Sequence, residues 1–150
     1  MRDAIGQVFA LQVILAFVLL INGYMAYSVN YTRAFRVKNQ IVNIIEQYEG
    51  PYNDEAIEKI NSYIDKMAYE VPGRLTQDFL NDYPNASEKS CQNGWCYVGH
   101  EVKTTGGDGE LNGKYYTVVT FVNIDIPVIN NLVGLGQFLR VAGETRTIYE

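Results

Sequence analysis

The chain has 150 residues, of which 47% are hydrophobic and 19% are charged, and its formal net charge is -5. Nucleic-acid binding depends on clustered Lys and Arg that neutralise phosphates, so this acidic balance argues against a nucleic-acid partner. Once about 30 residues are assigned to the membrane anchor described below, the rest is enough for one small domain with its own core. We therefore expect a single folded domain.

The most apolar stretch covers residues 4–29 and contains no charged residue. A helix rises ~1.5 Å per residue and the hydrocarbon core of a bilayer is ~30 Å thick, so about 20 apolar residues are enough to span it. A secretory signal peptide has a shorter apolar region, of roughly 7 to 15 residues, followed by small residues at a cleavage site. The stretch predicts a retained single-pass anchor helix over residues 1–30, with the domain over residues 31–150.

Three uncharged polar residues, Gln7, Gln12 and Asn22, interrupt the apolar stretch. A polar side chain that faces lipid costs free energy, whereas one that faces another helix can form a hydrogen bond with it. We expect all three residues to face protein in the working state. The anchor is therefore predicted to assemble with other helices.

Flanking charge and cysteine content predict opposite orientations of this anchor. Three basic residues follow the stretch within a few turns and only Arg2 precedes it, so the rule that Lys and Arg stay cytoplasmic places the domain inside the cell. A disulfide between the two cysteines would place it outside. Because a large C-terminal domain can be translocated despite flanking charge, we expect an extracytoplasmic domain. The basic residues are Arg33, Arg36 and Lys38.

Helical periodicity continues beyond the anchor. Apolar residues at steps of three and four form one stripe, and the charged residues, Lys38 among them, are expected mostly elsewhere on the circumference. Gly50 and Pro51 end this helix, because Gly favours the C-cap and Pro cannot continue the hydrogen-bond ladder. The stripe consists of Ala34, Val37, Ile41, Ile44 and Tyr48.

A second helix begins at Asn53 or Asp54, whose side chains can cap it. Its stripe beside the first stripe predicts an antiparallel helical hairpin. A short third helical segment is possible over residues 75–80, with Thr76 as its cap, and turn-forming residues predict a loop over residues 81–94. The second stripe consists of Ile57, Ile60, Ile64 and Met67.

The C-terminal part alternates with a period typical of strands. Strands are predicted over residues 97–105, 114–125 and 137–149, with a turn at residues 106–109 and a bulge at Gly143. The fold class is therefore α+β: a long N-terminal helix that continues into a helical hairpin, then a three-stranded antiparallel meander. The predicted core face of the middle strand consists of Tyr116, Val118, Thr120, Val122 and Ile124.

The two cysteines, Cys91 and Cys96, flank the turn-forming pair Asn93 and Gly94. In an exported domain, two cysteines this close together favour a disulfide. A metal site formed by both thiolates and His100 is the alternative, but a closed zinc site usually needs a fourth ligand. We expect the disulfide, with no metal and no cofactor.

No set of residues predicts catalysis. The only imidazole, His100, is next to Glu101 in a predicted strand, so the two side chains point to opposite faces and cannot pair. We therefore expect that the protein is not an enzyme. The apolar residues 127–136 are either a buried connection between strands or an exposed lip that contacts a neighbouring subunit or the membrane surface.

Two stretches of the chain resemble the pilin-like proteins of bacterial surface filaments and secretion systems, and are most similar to pseudopilins of the TadE and TadF type. The first is IGQVFAL, residues 5–11, similar to the segment where precursors of that family are cut after a glycine. The second is FVNIDIPVINNLVGLGQFLRVAGETRTIY, residues 121–149, similar to the family's closing strand, apolar Pro-containing excursion and last strand. This resemblance implies cleavage between Gly6 and Gln7, and Leu11 then stands where most members carry a docking glutamate.

Together, the anchor and the resemblance predict a structural subunit of a pilus-like surface filament or envelope secretion or adhesion complex. Gln7, Leu11, Gln12 and Asn22 are the candidate helix-assembly residues. The expected partners are copies of the chain or other pilin-like subunits, with membrane lipid surrounding the helix before assembly. The alternative is a single-pass accessory or sensor protein whose domain binds a ligand or partner.

Overall fold

A computed structural model describes residues 1–67, 77–86, 91–92, 94–106, 109–121 and 140–149 of the chain. Three helices precede the sheet, and the α+β class predicted from the sequence is confirmed. The helices are α1 (Arg2–Gln47), α2 (Asp54–Lys66) and α3 (Gln77–Asp82), and the strands are β1 (Cys91–Gln92), β2 (Trp95–Gly106), β3 (Gly109–Phe121), β4 (Arg140–Glu144) and β5 (Ile148–Tyr149).

The sheet is antiparallel, with the order β1-β2-β3-β4, and β5 also pairs with β3. β2 and β3 form a long hairpin whose register runs from Trp95 opposite Thr120 to Gly106 opposite Gly109. The middle strand was predicted to begin at Lys114, but β3 begins at Gly109, because pairing with β2 continues through the Gly-rich end of the hairpin. The sheet therefore has more strands than the predicted meander.

The apolar stripe on the C-terminal half of α1 forms the centre of the main core. Ala34, Val37 and Ile41 are fully buried, Ile44 is nearly so, and Tyr48 packs at the edge of the same cluster. The Thr120 hydroxyl on β3 donates a hydrogen bond to the Ala34 carbonyl over 3.1 Å. The predicted stripe is confirmed, and the predicted boundary between residues 30 and 31 falls inside an uninterrupted helix.

α1 ends three residues before the predicted stop at Gly50 and Pro51. The Gly50 N–H donates to the Ile45 carbonyl over 3.0 Å, which is the long bond of a Schellman motif. The left-handed residue of this motif is Glu49, with φ 57°, and Gly50 follows with φ 146°. A residue with a Cβ thus occupies the position where glycine is usual, at a cost of about 1–2 kcal/mol.

α2 is capped as the sequence predicted. The Asn53 side-chain oxygen accepts a hydrogen bond from the Glu55 N–H over 3.0 Å. The buried residues of α2 are Ala56, Ile60 and Ile64, and all three belong to the cluster formed by α1. Ala56 replaces the predicted Ile57 at the most buried position of the first turn, because its small side chain allows close approach to α1.

Both faces of the β2–β3 hairpin are covered. Tyr116 and Val118 face α1, as predicted, whereas Val119 on the opposite face packs with Val98 against Phe79 of α3. Asp82 of α3 also forms a 2.6 Å ion pair with Arg140 of β4, which fixes α3 to the sheet. Only one face of the middle strand was predicted to be a core face, so this second cluster was not expected.

The bulge in the closing strand does not lie at Gly143, which pairs regularly with Val118. Glu144 pairs with Thr117 and Ile148 pairs with Lys114, so residues 145–147 stand opposite only two residues of β3. The extra residue of this segment is the β-bulge.

The bulge is held by hydrogen bonds from two elements. The Thr145 hydroxyl accepts a hydrogen bond from the Tyr116 N–H over 2.9 Å. The carboxylate of Glu46, near the end of α1, accepts one from the Arg146 N–H over 2.8 Å. The irregular backbone is therefore stabilised by the sheet and by α1 together.

The role of Gly143 is to make room for Lys38. A Cβ at Gly143 would lie 2.8 Å from Lys38 Cδ and 2.9 Å from its Nζ. Lys38 was expected off the apolar stripe of α1, but only 8% of the residue is exposed, and its Nζ lies 4.2 Å from the ring centroid of Phe35. Burial lowers the pKa of the Lys38 ammonium below its usual range.

Several predictions fall outside the described residues. They concern Thr76 as a cap, Val122 and Ile124 on the core face, and the apolar residues 127–136. The loop predicted over residues 81–94 is confirmed at residues 83–86 and 94, which are turn or irregular, but residues 81 and 82 end α3 and Cys91–Gln92 forms β1.

The two halves of α1 should respond differently to truncation. Ile41→Ala removes a fully buried side chain and is expected to lower the free energy of unfolding by about 2–5 kcal/mol. Ile21→Ala, in the exposed half, is the matched control and should change it by less than about 0.5 kcal/mol. The measurement is urea unfolding of the full chain in mild detergent, followed by fluorescence of the single tryptophan, Trp95, which is fully buried. Equal losses in both variants would contradict this division of α1.

Candidate functional site

The N-terminal half of α1 is an exposed apolar surface. Every residue from Met1 to Asn22 is exposed, and most of the large exposed apolar side chains in the described part of the chain lie on this half. Fully burying one such side chain is worth roughly 1.5–3 kcal/mol, so lipid or protein must cover this surface in the working state. The residues are Ile5, Val8, Phe9, Leu11, Val13, Ile14, Leu15, Phe17, Val18, Leu19, Leu20, Ile21, Tyr24, Met25 and Val29.

These side chains surround the helix axis instead of forming one stripe. A helix that is apolar on all sides belongs either in the core of a large protein or in a membrane. Within the described residues, α1 is the one helix long and apolar enough to cross a bilayer, and the apolar part of it is not buried by the rest of the chain. Its dimensions and composition therefore fit a single membrane span.

The four candidate assembly residues do not share one face of α1. At 3.6 residues per turn, Gln7, Leu11 and Asn22 lie within about 60° of one another around the axis, whereas Gln12 lies about 140° from Gln7. The Asn22 side-chain amide donates a hydrogen bond to the Val18 carbonyl over 2.8 Å, which leaves its oxygen available as an acceptor. Gln7, Leu11 and Asn22 thus form one candidate contact face, which we call the polar face.

Gly6 and Gln7, the candidate processing site, lie in the first turns of α1. A Cβ at Gly6 would meet no atom within 4 Å, apart from the neighbouring helix backbone. Packing therefore does not explain a glycine at this position, and cleavage between Gly6 and Gln7 remains a prediction from the resemblance.

The predicted disulfide between Cys91 and Cys96 is present. β1 and β2 bring the two residues directly opposite each other in the sheet, and Gly94 makes the intervening turn with φ 84°. A disulfide sulfur is not a thiolate, so this bond removes two of the three ligands of the alternative metal site with His100. Among the residues described, no group of three or more His, Cys, Asp or Glu side chains could hold a metal ion.

His100 lies on the sheet face that α3 partly covers. Its ring stacks on Tyr115 with 4.7 Å between centroids, and its Nε2 lies 3.0 Å from the Thr117 hydroxyl. Glu101 pairs with Lys114 in the next register position, so its side chain points to the opposite face, as the sequence predicted.

A groove of about 510 Å³ opens over His100, Tyr115 and Thr117. Asp82, whose carboxylate is paired with Arg140, and Glu144 also line the groove. This site could not be predicted from the sequence, because strand alternation places Tyr115 and Thr117 on one face but does not reveal which residue of β2 stands opposite them. We call it the histidine groove.

On the other face of the sheet, the rings of Tyr97 and Tyr116 contact the ring of Tyr52 edge-on, with centroids 6.2 Å and 5.9 Å from it. Gly99 lies beside these rings, and a Cβ there would be in ordinary contact with them, 3.4 Å from the Tyr116 ring and 3.7 Å from the Tyr52 hydroxyl. Burial, followed by the neighbouring Tyr52, raises the pKa of the Tyr97 hydroxyl. Some of the tyrosines, such as Tyr97 and Tyr116, are therefore part of the main core.

No protein-family model, curated protein or solved structure matches this chain.

Removal of the disulfide should destabilise the domain without abolishing its fold. The bond closes a loop between residues five positions apart, for which loop-closure entropy corresponds to about 2 kcal/mol. We expect Cys91→Ala/Cys96→Ala to lower the free energy of unfolding by at least this amount, and dithiothreitol to lower that of the wild type similarly. Urea unfolding with and without the reductant measures both changes. Unchanged stability on complete reduction would contradict a structural role for the bond.

Proposed function

We propose that the chain is a structural subunit of a pilus-like surface filament or of an envelope secretion or adhesion complex. The observation that supports this most strongly is the continuity of α1: one helix has an exposed apolar half and a half that forms the centre of the core. Any contact made by the exposed half therefore holds the folded domain in a fixed position. No catalytic step and no cofactor belong to this proposal.

The exposed half of α1 would have two successive environments. Before assembly, lipid surrounds its apolar side chains as a single membrane span. In the assembly, helices of copies of the chain, or of other pilin-like subunits, replace the lipid. Association of helices that start in lipid depends on close packing and interhelical hydrogen bonds, because lipid tails are as apolar as the helices.

The polar face is the part of α1 best suited to contact a neighbouring helix. In two parallel copies in register, Gln7 stands beside Gln7 and Asn22 beside Asn22, so each pair can form an interhelical hydrogen bond. Gln12 lies on another side of the helix and cannot join the same contact. Leu11 would contribute apolar packing where a docking glutamate stands in the pilin-like proteins that the chain resembles.

The domain is proposed to lie outside the cytoplasm. Disulfides persist in oxidising compartments and are rare in the cytosol, so the bond between Cys91 and Cys96 supports export. If the subunits assemble into a filament, the domain then lies at the cell surface.

A second candidate function is that of a single-pass accessory or sensor protein. The observation that favours it is the histidine groove, in which the stacked rings of His100 and Tyr115 and the carboxylate of Glu144 provide stacking and hydrogen-bonding groups for a ligand. In that case α1 serves only as an anchor, and the chain remains monomeric in the membrane.

Association in bilayers distinguishes the two candidates. The full chain, labelled with donor or acceptor dyes at Lys103→Cys on the exposed surface of β2, is reconstituted at increasing lipid-to-protein ratios, and energy transfer is measured. We expect association, and filaments by electron microscopy after removal of detergent. Gln7→Leu and Asn22→Leu should each weaken association about threefold, from about 0.6 kcal/mol per interhelical hydrogen bond.

Gln12→Leu is the matched control, because it removes a polar side chain from the same span on a different side. It should leave association unchanged. No energy transfer at any ratio, together with no filaments, would contradict the assembly function and favour the anchored accessory protein. Association that is equally sensitive to all three substitutions would contradict the polar face.

A further inference from the structure

The helical turns that join the exposed half of α1 to the core carry an aromatic belt. Tyr24, Tyr31 and Phe35 are exposed by 72%, 41% and 44%, and their spacing of seven and four residues places them on one face. The Tyr27 ring stacks on Tyr31 at 6.0 Å between centroids and also packs against the core. The belt is therefore attached firmly to the folded domain.

Two basic side chains lie on the same turns as the end of the belt, but on other sides of the helix. Arg33 and Arg36 are exposed, and neither forms an ion pair with another residue in the described part of the chain. No Asp or Glu occurs between Asp3 and Glu46, although the whole chain has a net charge of -5. These turns are thus a local positive region on an acidic protein.

We propose that Tyr24, Tyr27, Tyr31, Arg33 and Arg36 form a seat for anionic lipid headgroups, which holds the domain against the membrane surface. This inference rests on the proposed membrane anchor and adds the lipid class that the anchor contacts. Tyrosine prefers the membrane–water interface because its ring is apolar and its hydroxyl is polar. Each arginine near an anionic surface contributes about 1 kcal/mol of attraction.

The length of α1 sets the depth of these residues. About 20 residues beginning at Ala4 cross the hydrocarbon core, so Tyr24 lies at its edge, Tyr27 lies in the headgroup layer, and the backbones of Arg33 and Arg36 lie ~15 and ~20 Å beyond the edge. Side chains on a helix lean toward its N-terminus, which here is the membrane side, so Arg33 and Arg36 reach back toward the headgroups. Their charges then attract the anionic headgroups across the adjoining water, where the screening length is ~10 Å at 0.1 M salt and longer at low ionic strength.

The domain begins within the turns that carry the seat. Ala34, between Arg33 and Arg36, is fully buried, and its carbonyl accepts a hydrogen bond from the Thr120 hydroxyl. Because the seat is continuous with the spanning segment, a lipid headgroup is the anion that meets it without any further partner. The exposed side chains of Arg33 and Arg36 can attract an anionic lipid, whereas the acidic remainder of the chain would repel it.

Electron spin resonance of spin-labelled lipids tests this proposal on the full chain in phosphatidylcholine bilayers. Labelled phosphatidylglycerol and labelled phosphatidylcholine each report the fraction of lipid held motionally restricted at the protein. We expect phosphatidylglycerol to be preferred at low ionic strength. Arg33→Gln/Arg36→Gln should reduce that preference by up to about fivefold for each arginine.

Lys59→Gln/Lys103→Gln is the matched control, because it removes two exposed positive charges, one beside Tyr48 at the distal end of α1 and one on β2, and should leave the preference unchanged. An equal fall in both double variants, or no preference in the wild type, would overturn the seat while leaving the anchor intact. Absence of restricted lipid of either kind would overturn the anchor and the seat together. Unfolding by urea confirms that both double variants are folded, since all four residues are exposed.

Discussion

The packing of the C-terminal half of α1 against the sheet determines where the rest of the molecule lies. Val37 and Ile41 fill the core, and the Thr120 hydroxyl bonds the Ala34 carbonyl where the helix leaves the domain. At the other end, the Glu46 carboxylate accepts the Arg146 N–H from the bulge of the closing strand. The buried half of the helix is thus attached to the sheet at both of its ends, which fixes the direction of the exposed half.

This arrangement links the end of the chain to its beginning. The bulge between β4 and β5 exists because an extra residue leaves the ladder, and the released Arg146 N–H needs an acceptor. Glu46 supplies it, while the ion pair between the same two side chains, at 3.9 Å and with Arg146 largely exposed, adds little. A force on the exposed half of α1 is therefore transmitted to the sheet through packing and two hydrogen bonds.

Local patterns in the sequence were sufficient for the helical part of the fold. The stripe on α1, the Asn53 cap and the disulfide each depend on residues close in sequence, and all three are confirmed. Features that depend on pairing between distant residues were missed or misplaced. Gly143 suggested a bulge, but its small size accommodates Lys38, which is over 100 positions away in the chain and whose burial no periodicity indicates.

The candidate sites also differ in whether they depend on residues close in sequence or on pairing between distant residues. The apolar half of α1 could be predicted from composition alone, and its polar face follows from helical geometry applied to Gln7 and Asn22. The histidine groove could not be predicted, since it requires the β2–β3 register that places His100 opposite Tyr115. The covering of the second sheet face could not be predicted either, because Phe79 packs on it from α3, a six-residue helix too short to show a clear periodicity.

The central claim is that the exposed apolar half and the domain-forming half of α1 are one rigid helix. Electron–electron resonance between spin labels at Ile21→Cys and Gln40→Cys, in the full chain in bilayers, measures this directly. A continuous helix predicts a narrow distribution of distances near 29 Å, from ~1.5 Å per residue. A broad distribution or a much shorter distance would show a hinge between the two halves and would contradict the account.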